Sequence, residues 1–455
     1  MNVDIDAILN PFQRFGVHLG LDRIQKLLAS LGNPHHHVPI IHVAGTNGKG
    51  SVCAYLSSVL TEAGYRVGRY TSPHLVDWTE RICLNEQPIA SQTLQELLLQ
   101  VKNAIDPNVE TPTQFEVITA AAWLYFAKSR VDVAVVEVGL GGRLDATNVS
   151  SHPLVTIITS ISREHWQQLG PNVADIAREK AGILKNGCPA VVGQLPAEAE
   201  AVVRSRSLEL SIPVVWVKPA QEIAPGWAEF LGAGSSDIPI HHVPNLSNPL
   251  PKKSDLIQPT PSGKQAEAFI LHPFKYPLPL LGQMQLSNSA VAIATLQILQ
   301  QQGWVIPEEA IVNGIAKTKW AGRLQWTTWK NHRLLIDGAH NPAAAIALRE
   351  YVDTLKVKSV NWVMGMLSTK EHDEIFKAIL RPSDKLYLVP VPDHSSESPF
   401  KLATLAENIC PLAACHTYTD LFTALEAAVS ASDLTVLCGS LYLVGYFLRT
   451  ANTCV

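Results

Sequence analysis

The chain has 455 residues, of which 47% are hydrophobic and 17% are charged, and its formal net charge at pH 7 is −4. This length exceeds what one ordinary hydrophobic core serves, so we expect two domains. A slightly acidic chain without a basic block excludes a protein that binds nucleic acid nonspecifically. The 7 cysteines contain no Cys-x-x-Cys pair, and we interpret them as reduced thiols of a cytoplasmic protein.

Neither end of the sequence predicts a membrane segment. The start, Met1 to Asp6, carries acids where a signal peptide needs a basic region. The apolar stretch 434–448 is short and contains Cys-Gly-Ser, so it predicts a strand that turns into a helix. No heptad or exposed apolar repeat indicates self-association, and we expect a monomer.

Strand and helix patterns alternate along the first half of the chain, which is typical of a parallel sheet covered on both faces. The predicted strands are 38–43, 66–71, 131–138, 154–159, 190–192 and 214–217. The predicted helices are 51–62, 113–128 and 173–184.

The stretch 219–268 breaks this alternation, because it is rich in Pro, Ser and Gly and has weak periodicity. We predict that it is an irregular insertion of a first domain that spans residues 1–319. Its last predicted helices are 286–302 and 307–317.

The alternation restarts after Trp320-Ala-Gly-Arg-Leu324, which predicts a second domain over 320–455. Its predicted strands are 333–336, 360–364, 385–389 and 435–438, and its predicted helices are 342–355, 370–380, 401–409 and 421–429. The expected fold is α/β, with an N-terminal P-loop-type parallel sheet that binds ATP and a smaller C-terminal α/β (Rossmann-like) domain.

The segment Gly45-Thr-Asn-Gly-Lys-Gly-Ser51 is the most informative motif of the chain. It joins a predicted buried strand to a predicted helix. Glycines allow backbone N–H groups to turn inward, Lys49 supplies a positive charge, and Ser51 lies at a helix N-terminus, which favours anions. Gly50 separates Lys49 from Ser51, unlike the standard Walker form. An ordinary Gly-rich turn is the alternative, but it leaves the Lys and the Ser unexplained.

Three polar residues come at the ends of predicted strands. Glu137 ends an apolar strand, Ser72 follows the strand 66–71, and His165 follows the strand 154–159. Parallel strands bring their carboxyl ends together, so these residues are expected near the phosphate loop. Mg²⁺ prefers oxygen ligands, which favours Glu137 and Ser72, whereas the residues alone favour a core or loop role for His165. For Glu137, a surface acid is the alternative.

A second glycine-rich segment, Gly139 to Asp145, follows Glu137 directly. Its glycines permit a close approach of the backbone to a ligand. Lys180 lies in a predicted helix, where the residues alone favour a solvated side chain or an ion pair with Glu179 or Asp175.

The second domain has its own polar strand end. Asp337 ends a predicted strand, and Asn341 is placed to cap a helix that has Pro342 at its first position. The cap does not explain Asp337 and His340, so we predict a binding role for them.

Several segments carry a resemblance to a known family, and they occur together and in order. They are Gly45 to Ser51, Tyr70 to Leu75 with Glu80-Arg-Ile82, Pro112 to Glu116, Glu137 to Asn148, Glu179 to Ile183, Gly322 to Leu324 and Asp337 to Pro342. The set resembles the folylpolyglutamate synthases and bifunctional dihydrofolate synthase/folylpolyglutamate synthases, a branch of the Mur ligase superfamily. The resemblance covers about residues 16–448.

This resemblance implies roles for matching residues. The ATP phosphates would be held by Gly45, Thr46, Asn47, Gly48, Lys49, Gly50 and Ser51. Asn288, Arg323, Asp337 and His340 would hold ATP from the side of the second domain. A first Mg²⁺ would be bound by Ser72, Glu137 and His165, and a carbamylated Lys180 would be a ligand for a second Mg²⁺. Ser51 is a further implied metal ligand. The pterin or folate would lie near Val17, His18, Leu19, Thr113, Gln114, Phe115, Glu116, Leu144, Asp145 and Ala146. Lys49, His165 and Lys180 are the implied catalytic residues.

The implied activity is an ATP-dependent ligase of folate biosynthesis that adds L-glutamate to dihydropteroate and to folates through an acyl phosphate. One departure from the family pattern is Glu164, which stands where an Asp usually precedes His165. Three alternatives stay open: an enzyme with only one of the two activities, a Mur-type ligase for another substrate, and a P-loop protein without ligase activity.

Overall fold

The computed structural model describes residues 4–13, 19–232, 269–429 and 434–451. By packing, the chain divides into two units. The first unit comprises residues 1–74, 78–279 and 285–318, and the second comprises residues 75–77, 280–284 and 319–455. Short segments from the first half and the middle of the sequence thus belong to the C-terminal unit.

The helices of the first unit are α1 (Ile5–Leu9), α2 (Asp22–Ser30), α3 (Lys49–Glu62), α4 (Ser91–Asn103), α5 (Gln114–Ser129), α6 (Trp166–Leu169), α7 (Val173–Ala181), α8 (Ala197–Glu209), α9 (Met284–Gln301) and α10 (Glu308–Lys317). Its strands are β1 (Ile40–Ala44), β2 (Val67–Tyr70), β3 (Ile82–Leu84), β4 (Gln87–Pro88), β5 (Val133–Glu137), β6 (Val155–Ile158), β7 (Ala190–Val192), β8 (Val214–Trp216), β9 (Gln221–Ala224), β10 (Trp227–Phe230) and β11 (Phe274–Pro277).

The main sheet of this unit has eight strands in the order β4-β3-β2-β5-β1-β6-β7-β8. The strands from β2 to β8 in this order are parallel, whereas β3 and β4 add antiparallel at one edge. The central strands β1 and β5 are buried along their whole length. The carboxyl ends of β2, β5, β1 and β6 therefore meet at one edge of the sheet, where open α/β folds bind ligands.

Helices cover both faces of this sheet, which is why its central strands are apolar throughout rather than alternating. α2, α4 and α5 contribute to a core that includes Ile40 of β1 and Val136 of β5. α7 and α8 pack together over β6 and β7. α3 packs against β1, β2 and β5, and α10 packs on α3.

The second unit contains β12 (Gln325–Trp329), β13 (His332–Ile336), β14 (Asn361–Met364), β15 (Lys385–Leu388), β16 (Ala414–Thr417) and β17 (Thr435–Cys438), with α11 (Pro342–Thr354), α12 (His372–Ile379), α13 (Pro399–Ile409), α14 (Leu421–Val429) and α15 (Leu441–Ala451). Its six strands follow the order β12-β13-β17-β14-β15-β16.

All strand pairs of this sheet are parallel except the β12–β13 hairpin. Leu335 faces one core with α11, α12 and α13, and its neighbours Leu334 and Ile336 face the other with α14 and α15. A sheet covered on both faces confirms the expected Rossmann-like class for this unit. Among the described residues, no helix has both the length and the apolar character needed to cross a membrane.

The prediction of an irregular insertion at 219–268 is wrong for its first part. β9 and β10 form an antiparallel hairpin, and β11 joins β10 to make a three-stranded sheet. Every residue of β9 is exposed, so the apolar alternation that would predict a strand is missing. Residues 233–268 lie outside the described part of the chain.

Candidate active site

The phosphate-loop motif lies between β1 and α3. β1 ends at Ala44, and α3 begins at Lys49 with Gly48 as its N-cap at φ 87°. A β-carbon at Gly45 would collide with the Thr159 hydroxyl, and one at Gly48 would collide with the Asn288 side chain. Both positions therefore require glycine, because the surrounding side chains press directly on the backbone of the loop.

The segment after β6 supports this loop from one side. Thr46 N donates to Ser160 O at 2.7 Å, and Asn47 N donates to Ser160 Oγ at 3.1 Å. Ser162 N donates to Thr46 Oγ1 at 3.1 Å. The conformation of the loop is thus fixed by a segment more than 100 residues later in the sequence, since Asn47 and Ser160 are 113 positions apart.

Lys49 and Glu137 form the charged centre of the loop. Lys49 Nζ donates to Thr46 O at 3.1 Å and lies 3.8 Å from Glu137 Oε1. Glu137 is only 5% exposed, which excludes the surface-acid interpretation. Its Oε2 accepts from Ser72 N at 3.1 Å, so the ends of β2 and β5 meet as expected.

Lys180 is buried rather than solvated. Its Nζ donates to Gly45 O at 2.7 Å, which places the ammonium directly under the phosphate loop. Burial, together with the nearby charge of Lys49, lowers the pKa of Lys180 to about 7. The expected ion-pair partners are engaged elsewhere, since Glu179 pairs with Arg143 and Asp175 pairs with Arg178. The interpretation of Lys180 as a solvated side chain is therefore wrong.

Ser51 and Asn288 are joined through Gln285. Gln285 Nε2 donates to Ser51 Oγ at 3.4 Å, and Asn288 Nδ2 donates to Gln285 Oε1 at 3.1 Å. Asn288 belongs to the first unit, and its expected contact with ATP stays a prediction. Its position on α9, beside Gly48, makes it part of the wall of the phosphate loop.

His165 lies at the N-cap of the short helix α6 with a φ of 51°. Its side chain is 45% exposed, and Nε2 lies 3.9 Å from Oε1 of Glu164. The core position considered for His165 is thus excluded. Among the described residues, no group of three His, Cys, Asp or Glu side chains is arranged to hold a metal ion. A single buried carboxylate such as Glu137, completed by hydroxyl, water or phosphate oxygens, is a donor set that suits Mg²⁺.

The described parts of the expected pterin-binding segments lie close together. Gly20 N, next to Leu19, donates to Leu144 O at 3.3 Å. The Phe115 ring lies directly against Gly139. Thr113 and Glu116 form a capping box at the start of α5, and Arg23 of α2 binds both Glu116 oxygens at 3.1 Å. Gln114 opens α5. Val17 and His18 lie outside the described residues.

Asp145 holds the glycine-rich loop after β5 together. Oδ2 accepts from Leu140 N at 2.8 Å, and Oδ1 accepts from Thr147 N at 3.0 Å and Thr147 Oγ1 at 2.6 Å. Ala146, beside it, is 4% exposed. Burial raises the pKa of Asp145, and these hydrogen bonds oppose that effect.

The polar strand end of the second unit is built differently. Asp337 Oδ1 accepts from Ala339 N and Oδ2 accepts from Leu324 N, both at 2.8 Å. His340 Nδ1 donates to Gly338 O at 2.7 Å, and Asn341 Oδ1 accepts from Ala344 N at 2.9 Å as the N-cap of α11. Burial raises the pKa of Asp337, while the charge of Arg323 acts in the opposite direction. The cap at Asn341 is confirmed.

Sequence reasoning assigned no role to Gln285, His42 or Thr147. Gln285 is 2% exposed although it is polar, and His42 interrupts the apolar strand β1. Buried polar side chains need partners, so a polar residue inside an apolar run is the signal that identifies such positions.

The chain is similar to known protein families and solved structures. The Mur ligase middle domain matches residues 43–215, and the C-terminal domain of dihydrofolate synthetase matches residues 322–450. A dihydrofolate synthetase of Saccharomyces cerevisiae is 33% identical, with 96% of this chain and 99% of that protein covered. A dihydrofolate synthase/folylpolyglutamate synthase of Bacillus subtilis is 31% identical, covering 95% of this chain and 94% of its own length.

Among solved structures, a Mycobacterium tuberculosis folylpolyglutamate synthase complexed with ADP and AMPPCP superposes with a TM-score of 0.82. Its sequence is 27% identical, and the match covers 98% of this chain and 97% of the other. The fold and the phosphate loop define an ATP-dependent ligase of the Mur type. Within that class, the chain belongs to the dihydrofolate synthase/folylpolyglutamate synthase family.

Proposed function

We propose that the protein joins the amino group of L-glutamate to the carboxylate of a pteroate or folate at the expense of ATP. The acceptors would be dihydropteroate and the γ-carboxylate of a (tetrahydro)folate, which makes the enzyme bifunctional in folate biosynthesis. The observation that carries the proposal is the meeting of Lys49, Glu137 and Lys180 at one phosphate loop, directly before the Gly139–Asp145 loop. Full-length similarity to both kinds of synthase supports it.

The phosphate loop, Gly45 to Ser51, would hold the ATP phosphates, with Lys49 facing them. Asn288 lies against this loop and would bound the nucleotide site. For the second unit, the family resemblance gives ATP contacts to Arg323, Asp337 and His340. Leu19, Phe115 and Leu144 lie in segments that touch one another, which supports an acceptor site there.

Mg²⁺ fits the donor set at the end of β5. Glu137 offers a buried carboxylate, Ser51 and Ser72 offer hydroxyl oxygens, and His165 completes the expected first site. When bound, the ion neutralises negative charge on the phosphoryl oxygens. Lys180 would join as a carbamate, and a pKa of about 7 leaves much of its amine neutral, which is the form that reacts with CO₂.

The reaction proceeds in two steps. A carboxylate oxygen of the acceptor attacks the γ-phosphorus of ATP, the bond to ADP breaks, and an acyl phosphate forms. Lys49 stabilises the charge that develops on the transferred group. The neutral amine of L-glutamate then attacks the acyl carbon, phosphate leaves with the bonding electron pair, and the amine loses a proton to give the amide.

Phosphate release tests this proposal. ATP, Mg²⁺ and L-glutamate are combined with dihydropteroate in one reaction and with tetrahydrofolate in another, and each is repeated without L-glutamate. Release that depends on glutamate with both acceptors supports a bifunctional enzyme. Release with one acceptor assigns a single activity, and release with neither refutes the proposal in favour of another Mur-type ligase, for which a UDP-linked precursor is the next acceptor.

The proposal also includes a monomeric enzyme in the cytoplasm. Light scattering on the purified protein tests the first part, since a dimer would double the 49.6 kDa mass of the chain. Fractionation of cells tests the second part.

A further inference from the structure

A buried chain of hydrogen bonds runs from β1 to the loop after β5. His42 is 1% exposed, and its Nε2 lies 2.9 Å from Thr147 Oγ1. The Thr147 hydroxyl has one proton and donates it to Asp145 Oδ1 at 2.6 Å. Its oxygen must therefore accept from His42, which fixes the proton of the imidazole on Nε2.

His42 acts here as a fixed donor rather than as a titrating base. Complete burial lowers its pKa to about 3, so the imidazole is neutral in the physiological range. A neutral imidazole inside an apolar strand loses its hydration, and its Nε2–H regains a hydrogen bond by donating to Thr147 Oγ1. β1 thus holds a buried polar side chain in an otherwise apolar strand.

The chain of hydrogen bonds ends on the carboxylate that organises the loop. The Asp145 carboxylate accepts one hydrogen bond from Leu140 N, at the start of the loop, and another from Thr147 N, at its end. The position of the Thr147 hydroxyl thus affects both ends of the loop at once. β1 also carries the phosphate loop at its carboxyl end, so His42 ties the two loops to one strand.

We propose that His42, acting through Thr147, is a positioning residue that holds the Gly139–Asn148 loop in the shape that binds the pteroate or folate acceptor. This inference rests on the proposed function and on the family resemblance, which places Leu144, Asp145 and Ala146 near the acceptor. His42 touches neither substrate in this role. Its loss should therefore weaken acceptor binding and leave nucleotide binding unchanged.

The test uses Thr147→Val, which keeps the shape of the side chain and removes both hydrogen bonds. Thr295→Val in α9 is the matched control, because both threonines are 0% exposed and each loses one buried hydroxyl. Steady-state KM values for dihydropteroate and for ATP are measured with the dissociation constant of ADP. We expect the KM for dihydropteroate to rise about 10- to 100-fold in Thr147→Val, with KM for ATP and ADP affinity within twofold of wild type.

Three further variants distinguish the positioning role from simple misfolding. Thr147→Ser keeps the hydroxyl and should return the KM for dihydropteroate to within about threefold of wild type. His42→Gln keeps a donor near the place of Nε2, whereas His42→Leu removes it, so only the leucine variant should show the raised KM. ADP affinity reports the folded fraction in every variant.

Three results would distinguish failure of the proposed function from failure of the positioning role. If wild-type enzyme shows no glutamate-dependent phosphate release, the proposed function itself fails. If wild type is active but Thr147→Val and Thr295→Val give the same KM values, the positioning role is overturned. It is also overturned if acceptor and nucleotide affinities fall together in His42→Leu, because that pattern describes general loss of structure.

Discussion

In both units an acidic residue and a glycine come at the carboxyl end of a buried strand, but the two acids make different contacts. β5 ends in Glu137 and is followed by a glycine-rich turn, and Asp337 with Gly338 follows β13 in the same manner. Glu137 faces the ammonium of Lys49, whereas the Asp337 oxygens accept from the backbone N–H groups of Ala339, in the turn that follows, and of Leu324, just before β12. One local sequence pattern thus gives a charge placed for ligand chemistry in the first unit and a carboxylate that shapes a turn in the second.

The surroundings of the two acids strengthen this contrast. Lys180 is buried at the phosphate loop. Its ammonium loses hydration there, and this loss lowers the free energy of unfolding. In the second unit, the Asn341 cap and the Asp337 turn satisfy backbone groups and add stability. Substitution of Lys49 or Lys180 should therefore mainly change turnover, whereas loss of the hydrogen bonds at Asp337 or Asn341 should also lower the free energy of unfolding.

The largest expected effect follows from removing the charge at the phosphate loop. Lys49→Ala should lower kcat about 100- to 1,000-fold, because a preorganised charge facing the transferred group is lost. The melting temperature should change little. Lys317→Ala is the control, since Lys317 forms an exposed pair with Glu62 and should keep full activity. Phosphate release measures both, and near wild-type activity in Lys49→Ala would refute the phosphate-loop assignment.

Lys180→Met should separate activity from stability. Turnover should be lost, while the free energy of unfolding at pH 7 rises by about 3 kcal/mol, because a buried cation is removed at the cost of one hydrogen bond. The comparison uses protein with EDTA and without CO₂, and Lys401→Met, at an exposed lysine, is the control.

The pH dependence of stability provides an independent check on Lys180. Its pKa is about 7 in the folded chain and near the ordinary lysine value of 10.5 in the unfolded chain, so unfolding takes up a proton at pH values between these two. Wild-type stability should therefore rise from pH 7 towards pH 10, and this slope should be absent in Lys180→Met. A destabilised Lys180→Met protein with an unchanged slope would contradict the burial of the charge.

Asp337→Asn tests the contrasting role of the second acid. An amide has one acceptor oxygen, so one of the two backbone N–H groups of Leu324 and Ala339 loses its partner. We expect a loss of about 2 kcal/mol in unfolding free energy, measured by urea titration. Glu137→Gln is the paired variant and should lose turnover with less change in stability. The contrast between the units fails if both variants lose activity and stability equally.

Local patterns were sufficient to predict the elements that form the phosphate loop. β1, α3 and β5 lie within two residues of their expected bounds, because strand burial and the Gly-Lys-Ser sequence are properties of neighbouring residues. The family resemblance added the long-range expectations for Lys180 and Asn288.

Contacts between distant residues could not be derived from such patterns. Lys180 and Gly45 are 135 positions apart, and Gln285 and Ser51 are 234 positions apart. A lysine in an amphipathic helix is normally solvated, so its burial depends on how α7 packs under the loop. The exposed strand β9 could not be predicted from local patterns either. It pairs with β10, and this pairing stabilises it although its sequence has no apolar alternation.

The smallest expected effect concerns the helix cap of the second unit. Asn341→Ala should remove the hydrogen bond to Ala344 N and destabilise the protein by about 1 kcal/mol. For a unit of this size, the melting temperature should fall by about 3 °C, measured by calorimetry. Asn341→Ser keeps a capping oxygen and should melt close to wild type.

Kinetics of the same two variants decide whether Asn341 does more than cap α11. If the side chain only satisfies a backbone N–H, KM for ATP should stay within twofold of wild type in both. A tenfold rise in Asn341→Ser, where the cap is kept, would show that this amide contacts the nucleotide. Asn341 would then belong with His340 in a binding role, and the second unit would resemble the first more closely than its hydrogen bonds indicate.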